Sequence, residues 1–410
     1  MPSFKLLLAQ IGVVLIAARL VGWLFRKLHQ PRVIGEMIAG ILLGPTLLGW
    51  VAPGFSAALF PADSLGALGA LSQIGLLLFM FLVGLELDLK QIRALGRAAA
   101  ITSQASILAP FLLGGVLAFY LYPRLSNPSV NFLSFVLFMG TAMSITAFPV
   151  LARILSERAL LHTKVGSLAI TCAAIDDVTA WCLLAGVSLT VGATNLSLPL
   201  WLTLAGAGIF ILLMLTVVKR ALQPLATQYE QQGELPQDRL AIILLFVLGA
   251  GWITSALGVQ ALFGAFLAGA VMPRQSGLGR ELGLRIEGLI TVLLLPLYFA
   301  LTGLRASFLL ISGAEMWWYC ALIIALAVIG KVGGAALAAR LTGLSWREAG
   351  AVGVLMNTRG LVELVILNIG LDLGILSPAL FSMMVLMALV TTLMTTPLLN
   401  WVYPARLARA

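Results

Sequence analysis

Long apolar runs separated by short polar clusters fill this chain from end to end. A helix needs about 20 apolar residues to cross a hydrocarbon layer roughly 30 Å thick. Thirteen windows reach or approach that length, near 6–24, 33–50, 64–86, 98–122, 131–152, 165–191, 198–218, 239–256, 259–273, 286–302, 314–339, 348–370 and 378–402. The second and ninth are short and rich in glycine. The pattern predicts an all-α polytopic membrane protein of about thirteen transmembrane helices. The first window is not read as a cleaved leader, because Arg26, Lys27 and Arg32 follow it and no small-residue cleavage site precedes them.

Basic residues then orient the windows. With the N-terminus outside, only Lys5, Arg124 and Arg305 of the 25 lysines and arginines fall in outer loops. Arg19, Lys331 and Arg359 lie within spans, and all the others gather on the inner side. Such an excess marks the cytoplasmic face, so the C-terminus is expected inside and the number of spans odd.

Two short patterns recur. Gly35–Pro45 reads GEMIAGILLGP and Gly264–Pro273 reads GAFLAGAVMP; Phe81–Glu86 reads FLVGLE and Phe299–Arg305 reads FALTGLR. Each match lies seven spans further on. Seven is odd, so the copies face opposite ways, as in the inverted repeats of transporters. The chain is expected to form a single transport unit, 1–410, with a first repeat over 1–195, a linker helix and polar loop over 196–238, and a second repeat over 239–410.

Under this pairing span five matches span twelve, and both carry an interruption. In span five Gly140–Pro149 reads GTAMSITAFP, and proline breaks the helical ladder. In span twelve Asn357-Thr358-Arg359-Gly360 interrupts an apolar run. Paired broken spans point to a transport site near the bilayer midplane, where exposed half-helix ends can hold an ion.

Charge inside the spans sharpens the picture. Asp176 and Asp177 sit in Gly166–Val191, a stretch with no other charge. Each costs roughly 2.5–3.5 kcal/mol at the bilayer centre, so the pair reads as a proton or cation site. Lys331, in span eleven beside Gly330, Gly333 and Gly334, is the basic partner, and those glycines admit a close neighbour. Adjacent residues point about 100° apart on a helix, so one aspartate can hold Lys331 while the other faces a cavity. Arg359 and Glu363 are four apart on one face and form an internal pair or offset the half-helix dipoles. Glu36, Glu86 and Asp88 lie near inner ends and read as hydrated.

Composition agrees. The chain is 61% hydrophobic and 10% charged, where soluble proteins carry about 25% charge. The net charge of +9 does not mark a nucleic-acid binder, because the basic residues form no single patch. Cys172, Cys182 and Cys320 fall in spans without framework spacing and read as buried thiols, not disulfides or metal ligands. His29 and His162 read as solvated loop residues. No cofactor is implied.

The six segments PRVIGEMIAGILLGPTLLG (Pro31–Gly49), FLVGLELDLK (Phe81–Lys90), SITAFPVLARIL (Ser144–Leu155), AAIDDVTAW (Ala173–Trp181), ALTGLR (Ala300–Arg305) and MNTRGLVELVILNIG (Met356–Gly370) together resemble the monovalent cation:proton antiporter superfamily. The likeness is to the branch of NapA-like sodium/proton antiporters, Kef-type potassium systems and plant CHX exchangers, and it covers essentially the whole chain. It implies a homodimer in membrane lipid, with spans one to three and eight to ten in a dimer domain and spans four to six and eleven to thirteen in a mobile core. It further implies that Asp177 carries the monovalent cation (Na⁺ or K⁺) or protons, that Asp176 pairs with Lys331, and that Ser144 and Thr146 line the span-five break. The chain departs from Kef-type and CHX proteins in ending at Ala410, and no regulatory C-terminal domain is expected.

The expected function is therefore electrogenic exchange of Na⁺ or K⁺ for H⁺ by alternating access in a bacterial inner membrane. A cation channel of the same fold is the first alternative. An intramembrane aspartyl protease is remote, since that chemistry needs one aspartate from each of two facing helices sharing a proton.

Overall fold

The computed structural model describes residues 4–28, 30–86, 96–128, 130–158, 160, 163–190, 200–258, 261–273 and 277–404. Among these the chain is helical, apart from turns and one isolated bridge between Ser126 and Leu376. The helices used below are α1 (Phe4–Lys27), α2 (Arg32–Leu43), α3 (Leu65–Glu86), α4 (Gly96–Leu125), α5 (Phe132–Ser144), α6 (Phe148–Glu157), α7 (Lys164–Thr190), α8 (Leu200–Leu213), α9 (Gln237–Ala256), α10 (Ala261–Ala270), α11 (Leu278–Leu289), α12 (Leu295–Arg305), α13 (Gly313–Leu341), α14 (Trp346–Met356), α15 (Leu361–Asp372) and α16 (Pro378–Val402). Nine helical stretches among the described residues are long and apolar enough to cross a membrane, and α5 and α10 are shorter apolar helices.

Both expected interruptions are present. Span five is split into α5 and α6 at Ile145–Ala147, and span twelve into α14 and α15 at Asn357–Gly360. Pro149 explains the first: it has no N–H for the Ile145 carbonyl, yet it fits in the opening turn of α6. A capping box between Ser345 and Glu348 starts α14, each side chain bonding the other's backbone N–H.

The chain divides into two compact units, each assembled from separated stretches of sequence. The first comprises Met1–Leu15, Phe60–Leu87 and Gly192–Leu301; the second comprises Ile16–Leu59, Asp88–Val191 and Thr302–Ala410. Span two, grouped by the resemblance with spans one and three, thus falls in the second unit.

The recurring glycine patterns turn out to be recurring contacts. In the first unit, a Cβ on Gly84 of α3 would lie 2.1 Å from the Phe266 oxygen and 2.9 Å from the Ala270 nitrogen of α10. In the second, a Cβ on Gly303 of α12 would lie 2.4 Å from the Met37 oxygen and 2.7 Å from the Ile41 nitrogen of α2. Aligning GEMIAG with GAFLAG pairs Met37 with Phe266 and Ile41 with Ala270. The first glycine of each pattern is equally confined, Gly35 against Gly22 and Gly264 against Ala250. Backbones meet here with no room for a side chain, as small-residue helix packing requires.

Some expectations change. Glu36 is only 8% exposed, more buried than its place near an inner end led us to expect, and it lines an open pocket of about 270 Å³ together with Arg19, Arg26 and Arg32. Cys172 and Cys320 are buried free thiols. His29, His162 and Asp88 lie outside the described residues, as do the side chains of Cys182 and Glu86.

Because backbone is what the added atoms would strike, Gly84→Leu and Gly303→Leu should each destabilise the protein by at least about 1–3 kcal/mol. Thermal unfolding of the detergent-solubilised variants measures this; unchanged midpoints would mean that these helices are not in contact.

Candidate functional site

Ending α5 inside the apolar layer leaves its last four carbonyls without helical partners. Each of them finds a donor. The Ser144 hydroxyl donates to the Thr141 oxygen at 2.8 Å. The Arg359 guanidinium, 1% exposed, donates to the Ala142 oxygen at 3.0 Å and the Met143 oxygen at 2.6 Å. The Lys331 ammonium, fully buried, takes the Ser144 oxygen. Two cations thus sit at the negative end of the half-helix dipole.

Lys331 has three N–H donors and uses all of them. Besides the Ser144 oxygen, it reaches the Ser106 oxygen of α4 at 3.0 Å and Oδ2 of Asp176 at 2.8 Å. The Ser106 carbonyl is free because Pro110, four residues on, has no N–H to return. Glycines bring the helices together: a Cβ on Gly330 would lie 2.7 Å from Pro110, and one on Gly334 would lie 2.8 Å from the Ala105 oxygen. Gly333 meets nothing within 4 Å, so only two of the three glycines make the approach.

Asp176, on α7, is surrounded by donors. Ser103 donates to Oδ1 at 2.7 Å, and Ser106 reaches Oδ2 at 3.0 Å. The Thr146 hydroxyl lies 2.8 Å from Oδ2 and 3.0 Å from the Met356 oxygen, and its one proton serves either. The ion pair with Lys331 is wholly buried and rests within hydrogen bonds, as a stable buried pair must.

Asp177 is the opposite case. It is 3% exposed, and neither carboxylate oxygen has a hydrogen-bond partner. The backbone N–H of Phe148, at the start of α6, faces it without completing a bond.

The two breaks are joined directly. The Ala147 N–H donates to the Thr358 oxygen at 2.9 Å, and Thr146 reaches the Met356 oxygen. Past the break, the Arg359 N–H bonds the Thr392 hydroxyl at 2.9 Å, and that hydroxyl donates to the Arg359 oxygen at 2.8 Å. Arg359 also pairs with Glu363 at 3.0 Å, both side chains fully buried, while the second Glu363 oxygen stays unbonded.

Of the residues singled out from sequence, Asp176, Thr146 and Lys331 meet directly, and Arg359 and Glu363 meet at the same half-helix end. Ser144 takes part through its carbonyl, its hydroxyl being turned back on its own helix. Ser103 and Ser106 escaped the sequence reading, and Asn357 was noticed only as part of the span-twelve interruption, without a role of its own. The signal for the serines was Pro110, which frees the Ser106 carbonyl, within the hydroxyl-rich stretch Thr102–Ser106 of an otherwise apolar span.

Comparison with known proteins adds an independent line. The family model described as "Sodium/hydrogen exchanger, transmembrane" matches residues 14–401. The Na(+)/H(+) antiporter NhaS4 of Synechocystis sp. is 43% identical over 404 residues, covering 98% of each chain. Cation/H(+) antiporter 19 of Arabidopsis thaliana is 42% identical over 98% of this chain, which spans 50% of that longer protein. The solved sodium proton antiporter MjNhaP1 of Methanocaldococcus jannaschii superposes with a TM-score of 0.68 over 99% of both chains at 15% identity, a likeness of fold.

Lys331→Ala would leave Asp176 buried without its cation, a loss of about 3–5 kcal/mol. Asp176→Asn combined with Lys331→Gln should cost less than the sum of the single changes, because the two side chains are coupled. Thermal unfolding of the four proteins forms the cycle; strictly additive losses would mean the pair does not form in the membrane protein.

Proposed function

The chain belongs to the sodium/hydrogen exchanger family, and we propose that it exchanges Na⁺ or K⁺ for H⁺ at Asp177 by alternating access. It is an integral, multi-pass membrane protein and a cation/proton antiporter, not an enzyme. The carrier assignment rests on one observation: Asp177 is buried with both oxygens bare, whereas its neighbour Asp176 is saturated by donors. A buried carboxylate without donors is stable when it holds a proton or a cation. One group that takes either, but not both at once, is the requirement for exchange.

Asp176 and Lys331 act as the charge partners of the site, and Thr146 ties Asp176 to the break at Met356. Arg359 and Glu363 hold the half-helix ends in place. Na⁺ is the substrate named for NhaS4, while the plant relative is named only for a cation; both ions suit an oxygen site. The protein works as a homodimer in a bacterial inner membrane, N-terminus outside and C-terminus in the cytoplasm. The asymmetry of its basic residues supports this orientation. Its inverted repeats run over 1–195 and 239–410, joined by 196–238. Neither the channel nor the protease reading gains from the comparisons. The protease in particular fails on chemistry, since Asp176 is committed to Lys331 and cannot share a proton across two helices.

Asp177→Asn keeps shape and removes charge, so it should abolish cation-dependent proton movement in proteoliposomes while the protein stays folded. Exchange near the wild-type rate in that variant would sink the assignment.

Stoichiometry gives a second test. If Asp176 or Lys331 changes protonation along with Asp177, two protons move per monovalent cation and one net charge crosses. Each such charge couples to about 2.3 kcal/mol per 100 mV. An imposed voltage should then shift the point at which flux reverses. A reversal point fixed by the cation and proton ratios alone would make the exchange electroneutral.

A further inference from the structure

Asn357 opens the α14–α15 break, is 1% exposed, and has no hydrogen-bond partner at either its amide oxygen or its amide nitrogen. A buried primary amide left wholly unbonded costs more than an apolar side chain of the same shape. Asn357 is the C-cap residue of α14, but only its backbone N–H caps, donating to the Val354 oxygen at 3.2 Å, and its side chain caps nothing. The carbonyls at the end of α14 have other donors in reach: Leu355 the Thr358 hydroxyl at 2.6 Å, and Met356 the Thr146 hydroxyl at 3.0 Å, whose one proton it shares with Asp176. The polarity of this side chain therefore has no use inside the resting hydrogen-bond network.

Asp177 is in the same condition, and the chain path brings the two to one junction. The residue before Asn357 offers its carbonyl to Thr146, and the residue after it accepts the Ala147 N–H at 2.9 Å. The next residue of that segment, Phe148, turns its N–H toward Asp177. An acceptor-only carboxylate and an unbonded amide thus flank the same three-residue break without bonding each other.

We propose that Asn357 is a ligand of the transported cation, its Oδ1 sharing a partly dehydrated monovalent ion with the Asp177 carboxylate. This rests on the reading of Asp177 as the carrier. A neutral oxygen adds coordination without adding charge, so one carboxylate still balances one cation. In the proton-loaded state the same Oδ1 accepts the O–H of the neutral Asp177 carboxyl, and neither state leaves the amide bare. The Ala147–Thr358 backbone bond and the Thr146 hydroxyl at the Met356 oxygen hold Asn357 at the span-five break, next to the Phe148 N–H that is directed at Asp177. That makes Asn357 a residue that sets which cation fits.

The test measures exchange in proteoliposomes for Li⁺, Na⁺ and K⁺ with Asn357→Leu, Asn357→Ser and, in parallel, Asp177→Asn. Asn357→Leu should raise the KM for the cation about ten- to a hundredfold, the loss of one bond to a charged partner, with a smaller effect on the rate at saturation. Asn357→Ser, which keeps a shorter oxygen, should raise KM less and move the preference toward the larger ion. Wild-type KM values for all three ions in Asn357→Leu, with Asp177→Asn inactive, would overturn this proposal and leave the carrier reading standing. A fall in maximal rate with KM and ion order unchanged would also overturn it, as a structural role only. An active Asp177→Asn would overturn the carrier reading and this one with it. Should Asn357→Leu fail to fold, Asn357→Ser and Asn357→Thr carry the same comparison of KM and ion order.

Discussion

A helix that ends within the apolar layer leaves four carbonyl oxygens that water cannot reach, and much of this structure serves to supply their donors. At the end of α5 one hydroxyl, one guanidinium and one ammonium take all four. Unsatisfied backbone groups in hydrocarbon cost several kcal/mol each, so the donors that Arg359 and Lys331 supply stabilise the broken helix. Once there, the two cations need anions of their own. Glu363 and Asp176 follow from that requirement. The polar interior of the second unit is in this sense one linked set, begun by the interruption of a single span.

The division of labour between two adjacent aspartates has the same origin. Neighbours on a helix point about 100° apart, so only one of them can face Lys331. Asp176 does, and the hydroxyls of Ser103, Ser106 and Thr146 complete its shell. Asp177 is turned from all of these and keeps both oxygens open. Chemically identical side chains become a hydrogen-bonded counter-ion of Lys331 and an unbonded buried carboxylate through one step along the helix.

Glycine sets the distances that make this possible. At Gly330 and Gly334 the backbone of α13 comes against Pro110 and Ala105, which puts the ammonium of Lys331 within reach of a carbonyl on α4. At Gly84 and Gly303 the same close packing occurs twice, once in each unit, between corresponding pairs of segments. The glycine patterns noticed in the sequence are a record of these crossings.

The sequence alone determined the class of fold, the two broken spans, and most of the charged residues of the site, because each of these is a local cost. Thirty ångströms of hydrocarbon demands long apolar runs, proline cannot serve as a donor, and a charge at mid-depth is too unfavourable to stand without a use. What the sequence could not give were the pairings. That Asp176 and not Asp177 meets Lys331 agreed with a resemblance, but nothing in the spacing of residues dictated it. Ser103 and Ser106 looked like ordinary helix residues, and Ser144, singled out for its hydroxyl, contributes a carbonyl instead. Glu36 is more buried than its place near an inner end led us to expect. A donor finds its acceptor according to which helices cross and at what depth, and that is set by packing among residues far apart in the chain. Only the tertiary structure holds that information.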